Sequence, residues 1–157
     1  MLRIAVSGHR GLPAATRRLV DVAIRAALDG QQHVIGWSCL ADGADQIFAR
    51  AVLDHGGRIE VVIPAAQYRD ELPGDVRAEY DRLLAQAAEV HRLPFTESSP
   101  EALMAASEFM LDRADLLWAI WDGKPPRGYG GTADVVTYAR DNGLPVTVIW
   151  PDGARRD

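Results

Sequence analysis

Two kinds of block alternate along the chain. Short apolar runs bounded by glycine, proline or polar residues, Leu2–Ser7, His33–Trp37, Ile59–Ile63 and Leu116–Trp121, read as buried strands. Between them apolar residues recur at helical spacing. Leu19, Val20, Ala23 and Ala27 mark a helix over Ala14–Leu28, with Gly30 as its stop. Ala44, Ile47, Phe48, Ala51 and Val52 mark a second, closed by Gly56-Gly57, and Val76, Tyr80, Leu83, Leu84 and Ala87 a third. Val90–Phe95 gives a short strand interrupted by Pro94. Ser99-Pro100 reads as a helix start, serine at the N-cap and proline at the first helical position, for a helix running to about Arg113. Thr132–Asp141 is the last helix, ended by Asn142-Gly143, and Pro145–Trp150 the last strand. Pro64 ends the third strand, a polar stretch follows to Gly74, and a polar tail begins at Asp152 and reads as frayed.

Strands alternating with helices predict right-handed crossovers and one α/β domain over residues 1–151, a doubly wound, mostly parallel sheet. In such a sheet every strand-to-helix loop lies at one edge, where ligands bind near the reversal of strand order. Three of these loops carry glycine: Ser7-Gly8-His9-Arg10-Gly11, Asp42-Gly43-Ala44-Asp45 and Gly128-Tyr129-Gly130-Gly131-Thr132. Glycine admits close backbone approach, and a helix N-terminus offers free N–H groups to an anion, so the three loops point to one shared pocket for something phosphorylated.

The loops differ in specificity. In the first, Arg10 can hold a phosphate as a bidentate donor and His9 can serve as acid, base or donor; the alternative is a tight turn with both side chains solvated. In the second, Asp42 reads as an N-cap and Asp45 as a capping-box acid, unless one of them accepts from ribose hydroxyls. Cys39, just before, is reactive if it faces the helix N-terminus and otherwise a small buried residue. The third follows the most apolar strand and opens a helix. Gly130, Gly131 and Thr132 there suit a phosphate nest, and Asp122 ends the preceding strand. Trp118, Trp121 and Trp150 read as core or interface, and Met104, Phe109 and Met110 as helix packing. His33, His55 and His91 show no metal spacing.

Composition narrows the classes. The chain has 157 residues, 48% hydrophobic and 25% charged, ordinary for a globular domain. Its formal charge of −5 and lack of a basic block disfavour a nucleic-acid partner. No apolar run reaches the ~20 residues of a membrane span, and the N-terminus does not read as a signal peptide. The single cysteine allows no internal disulfide, so a reducing, cytoplasmic setting is expected.

Taken together, the motifs resemble the SLOG superfamily of Rossmann-like proteins, which includes the DprA/Smf, Lonely Guy and YpsA-like families. Ser7-Gly8-His9-Arg10 is similar to the N-terminal motif of the YpsA-like branch, and Leu40-Ala41-Asp42-Gly43-Ala44-Asp45 to its G-x-A-x-G-A-D segment. The run from Met110 through Asp112, Leu116–Trp121 and Asp122-Gly123 to Gly130-Gly131-Thr132 resembles its D-x-L-x-A-x-x-D-G…G-G-T run. The resemblance implies a nucleotide or nucleotide-derived ligand at the C-terminal edge of the sheet, no further cofactor, and a homodimer. In Lonely Guy enzymes the pattern P-G-G-x-G-T-x-x-E carries a glutamate that helps cleave an N-glycosidic bond. With Thr132 aligned, that position falls on Val135, which can neither transfer a proton nor stabilise an oxocarbenium ion. Arg127 stands at the proline and Tyr129 at a glycine. Asp134 comes one residue early, about 100° around the helix. The expectation is a nucleotide-binding protein. The alternatives are a nucleoside 5′-monophosphate glycosidase or transferase using Asp45, Asp122 or Asp134, and an interaction domain with a vestigial pocket.

Overall fold

The computed structural model describes residues 1–156. Six strands, β1 (Leu2–Gly8), β2 (Val34–Ser38), β3 (Arg58–Ala65), β4 (Glu89–Phe95), β5 (Leu116–Ile120) and β6 (Val146–Val148), form one sheet in the order β4-β3-β2-β1-β5-β6. Every pairing is parallel. The helices are α1 (Ala14–Leu28), α2 (Ala44–Asp54), α3 (Gly74–Leu84), α4 (Pro100–Leu111) and α5 (Thr132–Asp141).

The chain walks outward from β1 to β4, then returns through α4 to β5 and continues the other way. Right-handed crossovers therefore place α1, α2 and α3 on one face and α4 and α5 on the other, matching the packing of α1 on α2, α2 on α3 and α4 on α5. Strand order reverses between β1 and β5, so a crevice opens there at the C-terminal edge. β2 is buried at every position, as an internal parallel strand covered by helices must be. Ile4, Val6, Ile24, Phe48, Leu117 and Ile120 are among the buried side chains between the layers.

Helix α1 has the expected bounds, and Ser99 Oγ accepts from Ala102 N (3.1 Å) as the N-cap of α4. Three expectations are corrected. β3 continues through Pro64 to Ala65, with the register against β4 slipping there, because proline has no N–H for the ladder. β6 is shorter than the apolar run, leaving Trp150 outside the strand. The tail is not frayed over residues 152–156, Asp157 lying outside the described residues: Thr16 Oγ1 donates to Arg155 O and accepts from Arg155 N, both at 2.9 Å. Among the described residues no helix is long and apolar enough to cross a membrane.

Candidate functional site

At the β1–β5 crevice lies a cleft of about 360 Å³. Ser7 and Gly8 line it from the end of β1, His9 and Arg10 from the loop after it, Asp45 from the start of α2, and Gly130, Gly131 and Thr132 from the loop that opens α5. Two loops meet directly where Ser7 Oγ donates to Thr132 Oγ1 at 3.4 Å. Asp42, Gly43, Asp122 and Asp134 do not line the cleft.

His9 is not a solvated turn residue. It is 4% exposed, and its backbone joins three elements: its N–H donates to Ile120 O and its carbonyl accepts from Ala44 N, each at 3.3 Å. The ring Nε2 accepts from Asp122 N at 3.1 Å and stands edge-on to Trp150. A nitrogen that accepts from an N–H holds a lone pair, which fits neutral His9 protonated at Nδ1. Asp122 Oδ1, 3.3 Å from Nε2, becomes an attractive partner only once that nitrogen is protonated. Burial, followed by the charge of Arg156, holds the imidazole below its ordinary value against the opposing pull of Asp122. In Asp122, burial alone would raise the carboxyl. Donation from Lys124 N and the neighbouring His9 outweigh it and hold Asp122 below the usual range.

The second loop departs from its expected caps. The residue before α2 is Gly43, and neither acid caps the helix. Asp42 instead accepts from Gly11 N (3.0 Å) and Arg17 Nη1 (3.4 Å), tying the first loop to α1 while facing a separate groove between α1, α2 and α3. Asp45 turns back to accept from Ala41 N at 3.2 Å. It is 7% exposed, and burial pushes its carboxyl up to about 6, against the backbone donors and Arg10. Leu40 holds a left-handed conformation (φ +57°), fixed by Ser38 Oγ accepting from Leu40 N and Gln46 Nε2 donating to Leu40 O. Such conformations are costly and collect at functional loops. Of the two readings of Cys39 the structure bears out the small buried residue: burial, then the charge of Asp45, pushes its pKa far above the ordinary range.

In the third loop, two glycine readings change. Gly130 has φ +87°, and a Cβ there would stand 2.9 Å from Pro100 O. At Gly8 a Cβ would stand 2.8 Å from Ile120 Cβ and closer still to Ala44 Cβ. Both glycines are required by the protein's own packing, whatever approaches from the cleft. Gly131 differs, since a Cβ there would meet nothing nearer than 3.6 Å. Gly131 precedes α5, which leaves the first N–H groups of the helix at the cleft. One loop donor is already taken: Gly130 N donates to Asp134 Oδ2 at 2.9 Å.

Several cleft residues escape sequence reasoning. Leu103, Ser107 and Met110 form one wall from α4, and Arg127 and Arg156 also line it. A serine within an otherwise apolar helical stripe was the one signal for the α4 wall. Val135, at the position of the Lonely Guy glutamate, is 2% exposed and belongs to the core. Away from the cleft, His91 on β4 pairs with Glu60 on β3 at 2.9 Å beside Glu89, a grouping across strands that linear spacing cannot reveal.

No family model matches the chain, and no curated protein matches it in sequence. Solved structures share its fold. DNA processing protein A (DprA) from Streptococcus pneumoniae has a TM-score of 0.68 at 18% identity, covering 98% of this chain and 52% of that one. This chain thus spans about half of the pneumococcal protein. DprA from Helicobacter pylori, described for its single-stranded DNA binding mode, has a TM-score of 0.69 at 15% identity, covering 98% and 67%. A molybdenum cofactor binding protein from the phototrophic bacterium Rippkaea orientalis has a TM-score of 0.61 at 12% identity, covering 96% and 77%. The likeness to DprA overturns the expectation that nucleic acid is a disfavoured partner. That expectation rested on a whole-chain charge of −5, a sum that says nothing of the sign at the cleft, where Arg10, Arg127 and Arg156 gather. The chain has the Rossmann-like α/β fold that these proteins share.

Proposed function

We propose that the cleft binds a nucleotide or nucleotide-derived molecule, with a phosphate at Gly131, Thr132 and the N-terminus of α5 and Arg10 as its counter-charge. The observation that carries this reading is the convergence of the α5 N-terminus and arginine side chains on one cleft at the switch point of a parallel sheet. Ser7, His9 and Asp45 also line the cleft. Binding is favoured over glycosidic hydrolysis because Asp122 is turned to His9 and Asp134 to Gly130 N, and neither lines the cleft. Of the candidate acids, Asp45 alone reaches it. The folds of a molybdenum cofactor binding protein and of DprA support a binding role, and the latter gives a second reading, in which the phosphate belongs to single-stranded DNA.

Thermal melting against nucleoside mono-, di- and triphosphates and a short single-stranded oligodeoxynucleotide tests both readings. A ligand at a hundredfold excess over its Kd stabilises by about 2.7 kcal/mol, a rise of several degrees in Tm. A response to mononucleotides supports the first reading, and a response to the oligonucleotide alone the second. No response to any of them at millimolar levels would falsify the assignment of the site. Release of free base from a bound nucleotide, abolished in Asp45→Asn, would restore hydrolysis.

A further inference from the structure

Arg156 reaches the cleft from outside the strand-to-helix loops that ordinarily build such a site. The chain turns at Pro151–Ala154, where Ala154 N donates to Pro151 O at 3.0 Å. Thr16, 2% exposed in the first turn of α1, then clasps the backbone of Arg155 through both its donor and its acceptor. A residue held by two hydrogen bonds gives its neighbour a defined direction, and Arg156 lines the cleft beside Arg10 and Arg127. Its charge acts on both His9 and Asp122. Among the described lining residues Asp45 is the one carboxylate. Arg10 answers a phosphate seated at the start of α5, and Arg156, carried on a separate segment, brings a further guanidinium, a group suited to paired contacts with phosphate oxygens.

Resting on the binding reading above, we infer that Arg156 is a specificity-determining residue, carried on a strap clasped by Thr16, which receives a second phosphate of the ligand. The chemistry it selects is two linked phosphates, whether a diphosphate or successive phosphates of a nucleic-acid strand.

Calorimetric titration with inorganic phosphate and inorganic pyrophosphate tests this without knowledge of the base. The wild-type protein should bind pyrophosphate at least tenfold more tightly than phosphate. Arg156→Ala should weaken pyrophosphate about tenfold while leaving phosphate within twofold, and Arg156→Lys should recover part of the loss. Thr16→Val should act in the same direction, since it frees the strap while keeping Arg156. Arg140→Ala, on the exposed end of α5, controls for net charge and should change neither affinity. Equal pyrophosphate binding by wild type and Arg156→Ala overturns the role of Arg156 but leaves the site standing. An equal loss for both anions makes Arg156 part of the first phosphate site and overturns the discrimination. If the wild type binds neither anion nor any nucleotide, the binding reading fails and the inference with it. A diphosphate nucleoside and a 5′-phosphorylated dinucleotide, titrated in parallel, separate the two sources.

Discussion

Asp45 and His9 give the cleft opposing responses to pH. Burial raises the Asp45 carboxyl to about 6 in the fold, against about 3.9 in an unfolded chain. Between these values the folded protein holds a proton that the unfolded chain lacks, so this contribution to stability falls as pH rises from 4 to 6. Asp45→Asn should remove that slope and stabilise the protein above pH 6, by at most about 3 kcal/mol. His9 has the reverse sign. Its folded pKa is lowered, so its contribution is present above about 6.5 and is lost as the pH drops below it. The difference between the wild-type and Asn-variant melting profiles from pH 4 to 8 should therefore isolate the Asp45 slope, with the His9 slope common to both. An unchanged profile would mean that Asp45 is ionised in the fold throughout. Asp134 sets a second test at this scale. Its carboxylate occupies Gly130 N, where a ligand phosphate would compete with it. Asp134→Asn should tighten phosphate binding several-fold, read by titration at low ionic strength.

Among the elements, the strand-to-helix loops join to one another as much as they reach toward a ligand. Gly8→Ala would drive a methyl group into Ala44 and Ile120 where α2 meets β5, and overpacking of this kind costs about 1–3 kcal/mol. Gly130→Ala combines a left-handed backbone, about 1–2 kcal/mol for a residue with a side chain, with a clash at Pro100 O. Chemical denaturation should show both losses, and the Gly130 variant should lose phosphate affinity as well. The element pattern was readable because strand and helix periods are local. Helix α1 and the Ser99 cap follow from residues a few positions apart. What was not readable depends on distant partners. Asp42 reads as a cap because the sequence does not show Gly11 N and Arg17 reaching it across the loop. The tail reads as frayed because its partner, Thr16, lies 139 residues away. The α4 wall reads as packing because Leu103 and Met110 look the same whether they face a sheet or a cleft. The placement of the Gly130-Gly131-Thr132 loop between β5 and α5 was legible because its context, a very apolar strand before it and a helix after it, is contiguous.

Across the whole molecule, the reversal between β1 and β5 gathers loops that are remote in sequence. The cleft draws on residues near positions 8, 45, 107, 130 and 156, from both helical layers and the strap. No part of it is complete until β1 has paired with β5 and the strap has returned to α1. A ligand bound as proposed would therefore fasten the first strand, the middle of the chain and the strap at one point. Occupancy should slow amide hydrogen exchange not only at the loops but in β1, β5 and the first turn of α1, by a factor that rises with ligand concentration up to the global unfolding limit. In a cell such a protein would persist in proportion to the supply of what it holds, since the emptied chain opens, and is degraded, more often than the filled one.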